Sequence, residues 1–246
     1  MLPGDPIPAS WRAAVRRLVP LSRHLSAQER ERQLRIAQLF VREVPFEGCQ
    51  GLVVTDEMKV AIAATAALLV LKQPYPRFPR LQRILLYPDT FIPRTVPSRW
   101  SRGVETAPEP TLGQAWGDGM MVLAWADIEA DAAHPADGHN VILHEFAHVL
   151  DFEDGASDGR PLLAADGDIR AWVSVMEREF DRQAEAVDGG EDPPLDEYAA
   201  TDPAEFFAVA TETYFEDGAR LKQRLPAVYE QLKRYYQFDT ADWHAA

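Results

Sequence analysis

The stretch from His144 to His148 has the residue types and the spacing of a metal-binding site, because it reads His-Glu-x-x-His. On a helix, residues four apart lie on the same face, so the two imidazoles can reach one metal ion. Glu145 follows the first His, which places its carboxylate beside the metal's open coordination position, where it can take a proton from a bound water. This spacing is typical of zinc peptidases, in which the Glu acts as general base.

The residues around this motif predict a buried helix. Asn140 is a favourable N-cap, and the positions from Val141 to Leu150 are apolar on nearly every side of the helix. Charged side chains are seldom buried without a partner. A core helix with two hydrogen-bonded histidines and a chance Glu would account for the apolar setting but not for the spacing. Metal ligation accounts for both.

The composition limits both the partners and the kind of metal site. The chain of 246 residues carries a net charge of −14 at pH 7, which argues against nucleic acid as a direct partner because phosphate binding requires clustered cations. Cys49 is the single cysteine, so the chain can form neither an intrachain disulfide nor a zinc cluster of cysteines. The metal must therefore be held by histidines and carboxylates.

The sequence predicts neither a membrane span nor a signal peptide. The longest apolar run, residues 60–71, is shorter than the ~20 residues that cross a bilayer. Pro3, Pro6 and Pro8 interrupt the N-terminus, and no apolar stretch of the signal-peptide type follows the first charged residues. We therefore expect a cytoplasmic location and no membrane partner.

Hydrophobic periodicity and turn residues predict an α+β fold of the zincin-like type, mostly helical, with a small mixed sheet next to the motif helix. Besides the motif helix, helices are expected at 28–44, 56–71, 166–187, 202–217 and 225–238. Strands are expected at 83–87, 111–116 and 120–125, the last two joined by a hairpin-type turn at 117–119, with a polar connection at 127–138. We expect a single domain over 1–246, with an N-terminal arm at 1–25 that includes a short helix, and a C-terminal tail at 239–246. One hypothesis is that this tail partly covers the cleft of the site.

A catalytic zinc keeps three protein ligands and one open position, and the motif supplies two ligands. The extension that would add a third His is absent, because Asp151 and Asp154 stand where it requires Gly and His. None of the remaining histidines lies in a supporting motif, and we expect each of them at the surface; they are His24, His134, His139 and His244.

Carboxylates of the helix predicted at 202–217 are better candidates for the third ligand. Glu205 and Glu212 are seven residues apart and share a helix face. Glu205 also has a structural interpretation, since Asp202 as N-cap and Pro203 at the first position would make it the third residue of a capping box. Spacing alone leaves open whether Glu205 is a cap or a ligand, and whether Glu212 is the ligand instead.

Two segments of the chain resemble the Mlc titration factor A family and, more distantly, the catalytic domain of anthrax lethal factor. They are HEFAHVLD at 144–151 and YAATDPAEFFAV at 198–209. The resemblance implies one Zn²⁺ per chain, held by His144, His148 and Glu205, with Glu145 as the catalytic base. It also implies that the phenol of Tyr198 stands beside the metal with a catalytic role, the alternative being a buried Tyr with a bonded hydroxyl. Glu212 is then an ordinary helix position or a partner of a ligand.

The resemblance further implies a zinc-dependent peptidase of the gluzincin type, with an aminopeptidase as one form, acting on peptide substrates. It also implies a regulatory role through binding Mlc, a transcriptional repressor of glucose-phosphotransferase genes. The alternative is a non-catalytic zinc-containing module that sequesters the repressor. A purely structural zinc site would have a fourth protein ligand and no use for Glu145, so the intact Glu145 favours an enzyme.

Overall fold

The structure, a computed structural model, describes residues 4–74, 76–89, 119–163 and 165–243. The chain forms two compact units, Met1–His134 and Pro135–Ala246. That the two make one domain stays a prediction. Within the described ranges, no helix combines the length and the apolar character needed to cross a bilayer.

The first unit holds the N-terminal helices and the sheet. Its described helices are α1 (Ala9–Leu18), α2 (Ala27–Glu43), α3 (Asp56–Leu69) and α4 (Trp125–Ala133), with a 3₁₀ turn at Pro20–His24; its strands are β1 (Phe46–Gly48), β2 (Arg83–Tyr87) and β3 (Met120–Ala124). Local chemistry sets where two of these helices begin. Ser26 and Glu29 form a reciprocal capping box at the start of α2, and Thr55 accepts from the backbone N–H of Met58 at the start of α3.

Helix α3 lies at the centre of the first unit's core. All ten residues from Val60 to Leu69 are buried, and half of them are alanine. Its one polar residue in this stretch, Thr65, donates its hydroxyl to the carbonyl of Ala61. Gln33 of α2 donates to the carbonyl of Ala64, so a polar contact joins the two helices inside the core. The helix predicted at 56–71 is therefore confirmed, with its end at Leu69.

The three described strands form a parallel sheet in the order β1-β2-β3. Helix α3 connects β1 to β2, as a parallel pair requires a crossover connection. Gly119, just before β3, has φ +68° and would bring a Cβ to 2.3 Å from the carbonyl oxygen of Arg80, so only glycine fits there. The predicted α+β pattern is confirmed, but the described sheet is parallel and not mixed. The strand predicted at 111–116 and most of its turn lie outside the described residues.

Several elements differ from the sequence-based expectation. Helix α4 includes residue 125, expected to end a strand, and much of the segment 127–138, expected to be a polar connection. It forms because Trp125 and Ile128 are three apart and bury one face of the helix. Residues 46–48, where no strand is predicted, form β1 at one edge of the described sheet. The 3₁₀ turn at Glu197–Ala200 was also not predicted.

The regular elements in the described part of the second unit are all helices. It consists of α5 (Val141–Asp151), α6 (Asp166–Asp188), α7 (Pro203–Glu216), α8 (Gly218–Arg224) and α9 (Pro226–Tyr236), with 3₁₀ turns at Phe152–Asp154 and Glu197–Ala200. Helix α7 is buried from Phe206 to Glu216, and it packs along α5, which carries the His-Glu-x-x-His motif. This pair of helices positions the candidate site.

The described part of the C-terminal tail packs against α7 and α9. Tyr214 donates to the carbonyl of Phe238, and Tyr229 donates to Asp239. Thr240 is fully buried, and the ring of Trp243 contacts Phe238. The tail therefore belongs to an aromatic core at the C-terminal half of α7.

Candidate metal centre

Helix α5 carries the two motif histidines in a buried setting, as the sequence predicts. Asn140 caps it, since its Oδ1 accepts from the backbone N–H of Leu143 at 3.1 Å. His144 and His148 are 6% and 8% exposed. Both polar rings therefore require partners within the protein or a bound ion.

Two imidazole nitrogens and one carboxylate oxygen converge between α5 and α7. The Nε2 atoms of His144 and His148 are 3.2 Å apart, and Glu205 Oε2 lies 3.0 Å from the first and 3.4 Å from the second. All three atoms lie within 4.8 Å of one another. Two histidines and a carboxylate are a common ligand set of catalytic zinc.

The hydrogen bonds of His144 fix which of its nitrogens faces this cluster. Its Nδ1 lies 2.7 Å from Oε1 of Glu212, and Oε2 of Glu212 accepts from the backbone N–H of Asn140 at 2.7 Å. An ionised carboxylate only accepts, so Nδ1 carries the hydrogen. In the neutral ring, Nε2 then carries a lone pair, which points toward Nε2 of His148 and Oε2 of Glu205. This is the arrangement in which metal-binding histidines are held.

Glu205 makes its capping contact through its backbone and its contacts with the histidines through its side chain. Its backbone N–H donates to Oδ1 of Asp202 at 2.9 Å, so Asp202 is the N-cap of α7 as predicted. Its Oε1 accepts from the hydroxyl of Tyr198 at 2.9 Å. Its Oε2 is buried and, within the described residues, faces the Nε2 atoms of His144 and His148 and no other hydrogen-bond donor. Three atoms that can each donate an electron pair therefore face one another, and one cation can satisfy all three.

Burial and the neighbouring groups have opposite effects on the pKa values of His144 and Glu205. Burial by itself lowers the pKa of His144, but the charges of Glu212 and Glu205 and their hydrogen bonds raise it by more. Burial likewise raises the pKa of Glu205, but hydrogen bonds from both histidines lower it by more. A metal ion and a second proton on the imidazole thus compete for the same Nε2.

Glu145 and Tyr198, the two predicted catalytic residues, both lie at this cluster. The Glu145 side chain is partly exposed, and burial raises its pKa while the nearby histidines lower it. A raised pKa makes a carboxylate a better proton acceptor near neutral pH. Burial and the charge of Glu205 raise the pKa of Tyr198, so its hydroxyl stays protonated and can donate. Its ring centroid is 6.1 Å from that of His144.

Two buried carboxylates near the ends of α5 were not singled out by the sequence. Glu216 accepts from the side-chain amide of Asn140 at 2.8 Å and from the backbone N–H of Ala136 at 3.0 Å. Asp151 accepts from the backbone N–H of Arg160 at 2.6 Å, and burial raises its pKa to about 6. The available signal was an acidic residue inside an apolar helix, which must find buried partners.

The chain matches one protein family along almost its whole length. The model described as glucose-regulated metallo-peptidase M90 matches residues 1–237. An uncharacterized protein of Synechocystis sp. is 39% identical over 232 residues, which cover 94% of this chain and 84% of the relative. Mlc titration factor A of Serratia proteamaculans is 33% identical over 237 residues, covering 94% of this chain and 87% of the relative. The protein of the same name from Yersinia pestis is 32% identical over 237 residues, covering 94% and 85%.

The matched residues include both segments on which the predicted resemblance depends. The chain therefore belongs to the glucose-regulated metallo-peptidase M90 family, as its resemblance to the Mlc titration factor A family predicts.

Proposed function

We propose that this protein is a zinc-dependent peptidase of the gluzincin type, with the metal held by His144, His148 and Glu205. The observation that carries the proposal is the convergence of two imidazole nitrogens and a buried carboxylate oxygen on one point between α5 and α7. When bound there, Zn²⁺ would act as a Lewis acid toward a water and a peptide carbonyl.

The protein's own groups supply proton transfer and positioning. Glu145 accepts the proton of the attacking water on its carboxylate and delivers it to the leaving amine. Tyr198 keeps its proton and can donate a hydrogen bond to the carbonyl oxygen of the substrate as negative charge develops there. Glu205 holds the Tyr198 hydroxyl at 2.9 Å in the described structure, which keeps the phenol at the site. One form of this activity is that of an aminopeptidase, which removes single N-terminal residues. Digestion of a peptide library distinguishes it from an enzyme that cleaves internal bonds.

The experiment is a metal determination combined with a peptide-library digest of the wild type and Glu145→Gln. We expect about one zinc per chain in both, because Glu145 is a base and not a ligand. The variant should lose ~10²–10⁴-fold in rate, which is the usual contribution of a positioned acid–base group. Cleavage that survives complete removal of the metal would contradict the proposal.

A second candidate function is a binding module for a repressor, since relatives at 32–33% identity carry the name Mlc titration factor A. In this second candidate function the protein binds an Mlc-like repressor in the cytoplasm, and the metal centre stabilises the fold. Purified Mlc of Serratia proteamaculans is a suitable probe in size-exclusion chromatography with the wild type and Glu145→Gln. Equal complex formation by both proteins, without any cleavage by the wild type, would favour the binding module over the enzyme.

A further inference from the structure

Helix α7 carries two buried carboxylates one turn apart, Glu212 and Glu216, which are 0% and 3% exposed. Together they accept four hydrogen bonds from the segment that begins α5. Glu212 binds the imidazole of His144 and the backbone N–H of Asn140, and Glu216 binds the side chain of Asn140 and the backbone N–H of Ala136. Within the described residues, neither carboxylate has Lys or Arg as a partner, although buried carboxylates usually require strong compensation.

We propose that Glu212 is the positioning residue of the metal centre, and that it fixes the ring orientation and the tautomer of His144. Glu216 serves the same helix terminus without reaching the metal ligands. This inference rests on the proposed metal site, but it does not depend on whether the protein cleaves peptides.

The geometry separates the tasks of the two carboxylates. The two hydrogen bonds of Glu212 tie the ring of His144 to the backbone at the helix start, so the ring cannot turn without breaking a buried bond. Because Glu212 only accepts, it holds the hydrogen on Nδ1 and leaves Nε2 free for a metal. Glu216 contacts no atom of the three-atom cluster, and its bonds secure only the cap residue and the turn before it.

Glutamine at position 212 cannot replace both interactions. Its single amide oxygen can accept either from the His144 ring or from the backbone N–H of Asn140, and its NH₂ group then faces the other donor. If the NH₂ faces Nδ1, the ring must place its hydrogen on Nε2, where it blocks the metal. Aspartate at 212 keeps the charge and both acceptor oxygens but reaches less far by one methylene.

The test compares Glu212→Gln, Glu212→Asp and the matched control Glu216→Gln, which lies on the same helix and serves the same helix start. Zinc affinity is measured by competition with a chromophoric chelator, and the tautomer of His144 by ¹⁵N NMR of the metal-free proteins at a pH at which the ring is neutral. We expect Glu212→Gln to bind zinc ~10–100-fold more weakly, the usual effect of removing a partner of a metal ligand. Its His144 should lose the Nδ1–H signature, Glu212→Asp should recover part of the affinity, and Glu216→Gln should keep both properties of the wild type.

A purely structural role predicts a different result. The free energy of unfolding of the metal-free proteins would then fall in both Gln variants, while the zinc affinity and the His144 tautomer of folded protein would stay as in the wild type. That outcome, or an equal loss of zinc in Glu216→Gln, would overturn the assignment of Glu212. Failure of the wild type to bind zinc would instead overturn the proposed function.

Discussion

At Glu205 the backbone N–H donates to Asp202, while the carboxylate oxygens face Tyr198 and the two motif histidines. Sequence spacing presents the cap and the ligand as alternatives, because it places a residue but not its separate atoms. The structure shows that one residue can fill the third position of the helix with its backbone and leave its side chain for the cluster. Spacing likewise does not separate Glu205 from Glu212, since both share a helix face; in the structure they approach different nitrogens of His144.

Glu205→Gln should therefore leave folding intact but weaken zinc binding by more than the ~10–100-fold expected for a partner of a ligand. The backbone cap at Asp202 does not depend on the side chain at 205, and an amide brings no negative charge to the cation. Zinc affinity and thermal unfolding of the metal-free protein are the two measurements. If Glu205→Gln binds zinc normally and Glu212→Gln does not, the ligand assignment at α7 is wrong.

The elements that hold the site were the ones that sequence reasoning placed best. α5 and α7 both begin at side-chain caps, Asn140 and Asp202, and continue as long apolar segments, so their starts are encoded locally. β1 has three residues and depends on pairing with β2, which no local pattern reveals. Helix α4 was missed because its polar residues outnumber the two that it buries. The hydrogen bonds of Glu212 and Glu216 join residues 68 to 80 positions apart, so only the packing of α5 against α7 creates them.

The C-terminal tail gives a prediction at the level of elements. Deleting residues 239–246 removes both hydrogen-bond partners of the Tyr229 hydroxyl, Asp239 and Ala241. It also removes the Trp243 ring that contacts Phe215, and it exposes apolar surface around Tyr214. We expect a clearly lower melting temperature and no gain in activity on small peptides, because loss of buried aromatic contacts typically costs a few kcal/mol. Circular dichroism melts and peptidase assays of both lengths are the measurements. Faster cleavage with an unchanged melt would support the hypothesis that the tail covers the cleft.

For the whole molecule, buried carboxylates make stability depend on pH. Burial raises the pKa of Glu216 from 4.5 to about 7, against the hydrogen bonds from Ala136 and Asn140 that lower it. The folded state therefore keeps a proton that the unfolded chain releases, so the contribution of this group to stability falls as pH rises from about 4.5 to about 7. In the metal-free protein, Glu216→Gln should show a smaller fall in the free energy of unfolding across this range than the wild type does. Urea unfolding at several pH values between 5 and 8 measures the difference.

Glu29 provides the control for this pH dependence. The hydrogen bond from Lys72 lowers its pKa from 4.5 to about 2, despite the opposing effect of burial. The contribution of Glu29 to the free energy of unfolding is therefore fully present above about pH 4.5 and is lost only as pH falls toward 2. Glu29→Gln should shift the free energy of unfolding by the same amount at every pH between 5 and 8. Parallel curves for the wild type and Glu216→Gln would contradict the role given to Glu216.

The burial of α3 has a consequence for amide hydrogen exchange. Its backbone N–H groups from Val60 to Leu69 lie in a helix with no exposed side and should exchange with solvent water only when that helix opens. The three atoms of the candidate metal centre all lie in the other unit, so a chelator would destabilise α7 directly. If the chain opens as a single cooperative domain, chelation should accelerate exchange in α3 and α7 by the same factor. If α3 keeps its slow exchange while α7 loses protection, the units open independently, and the first retains its structure when the metal is gone.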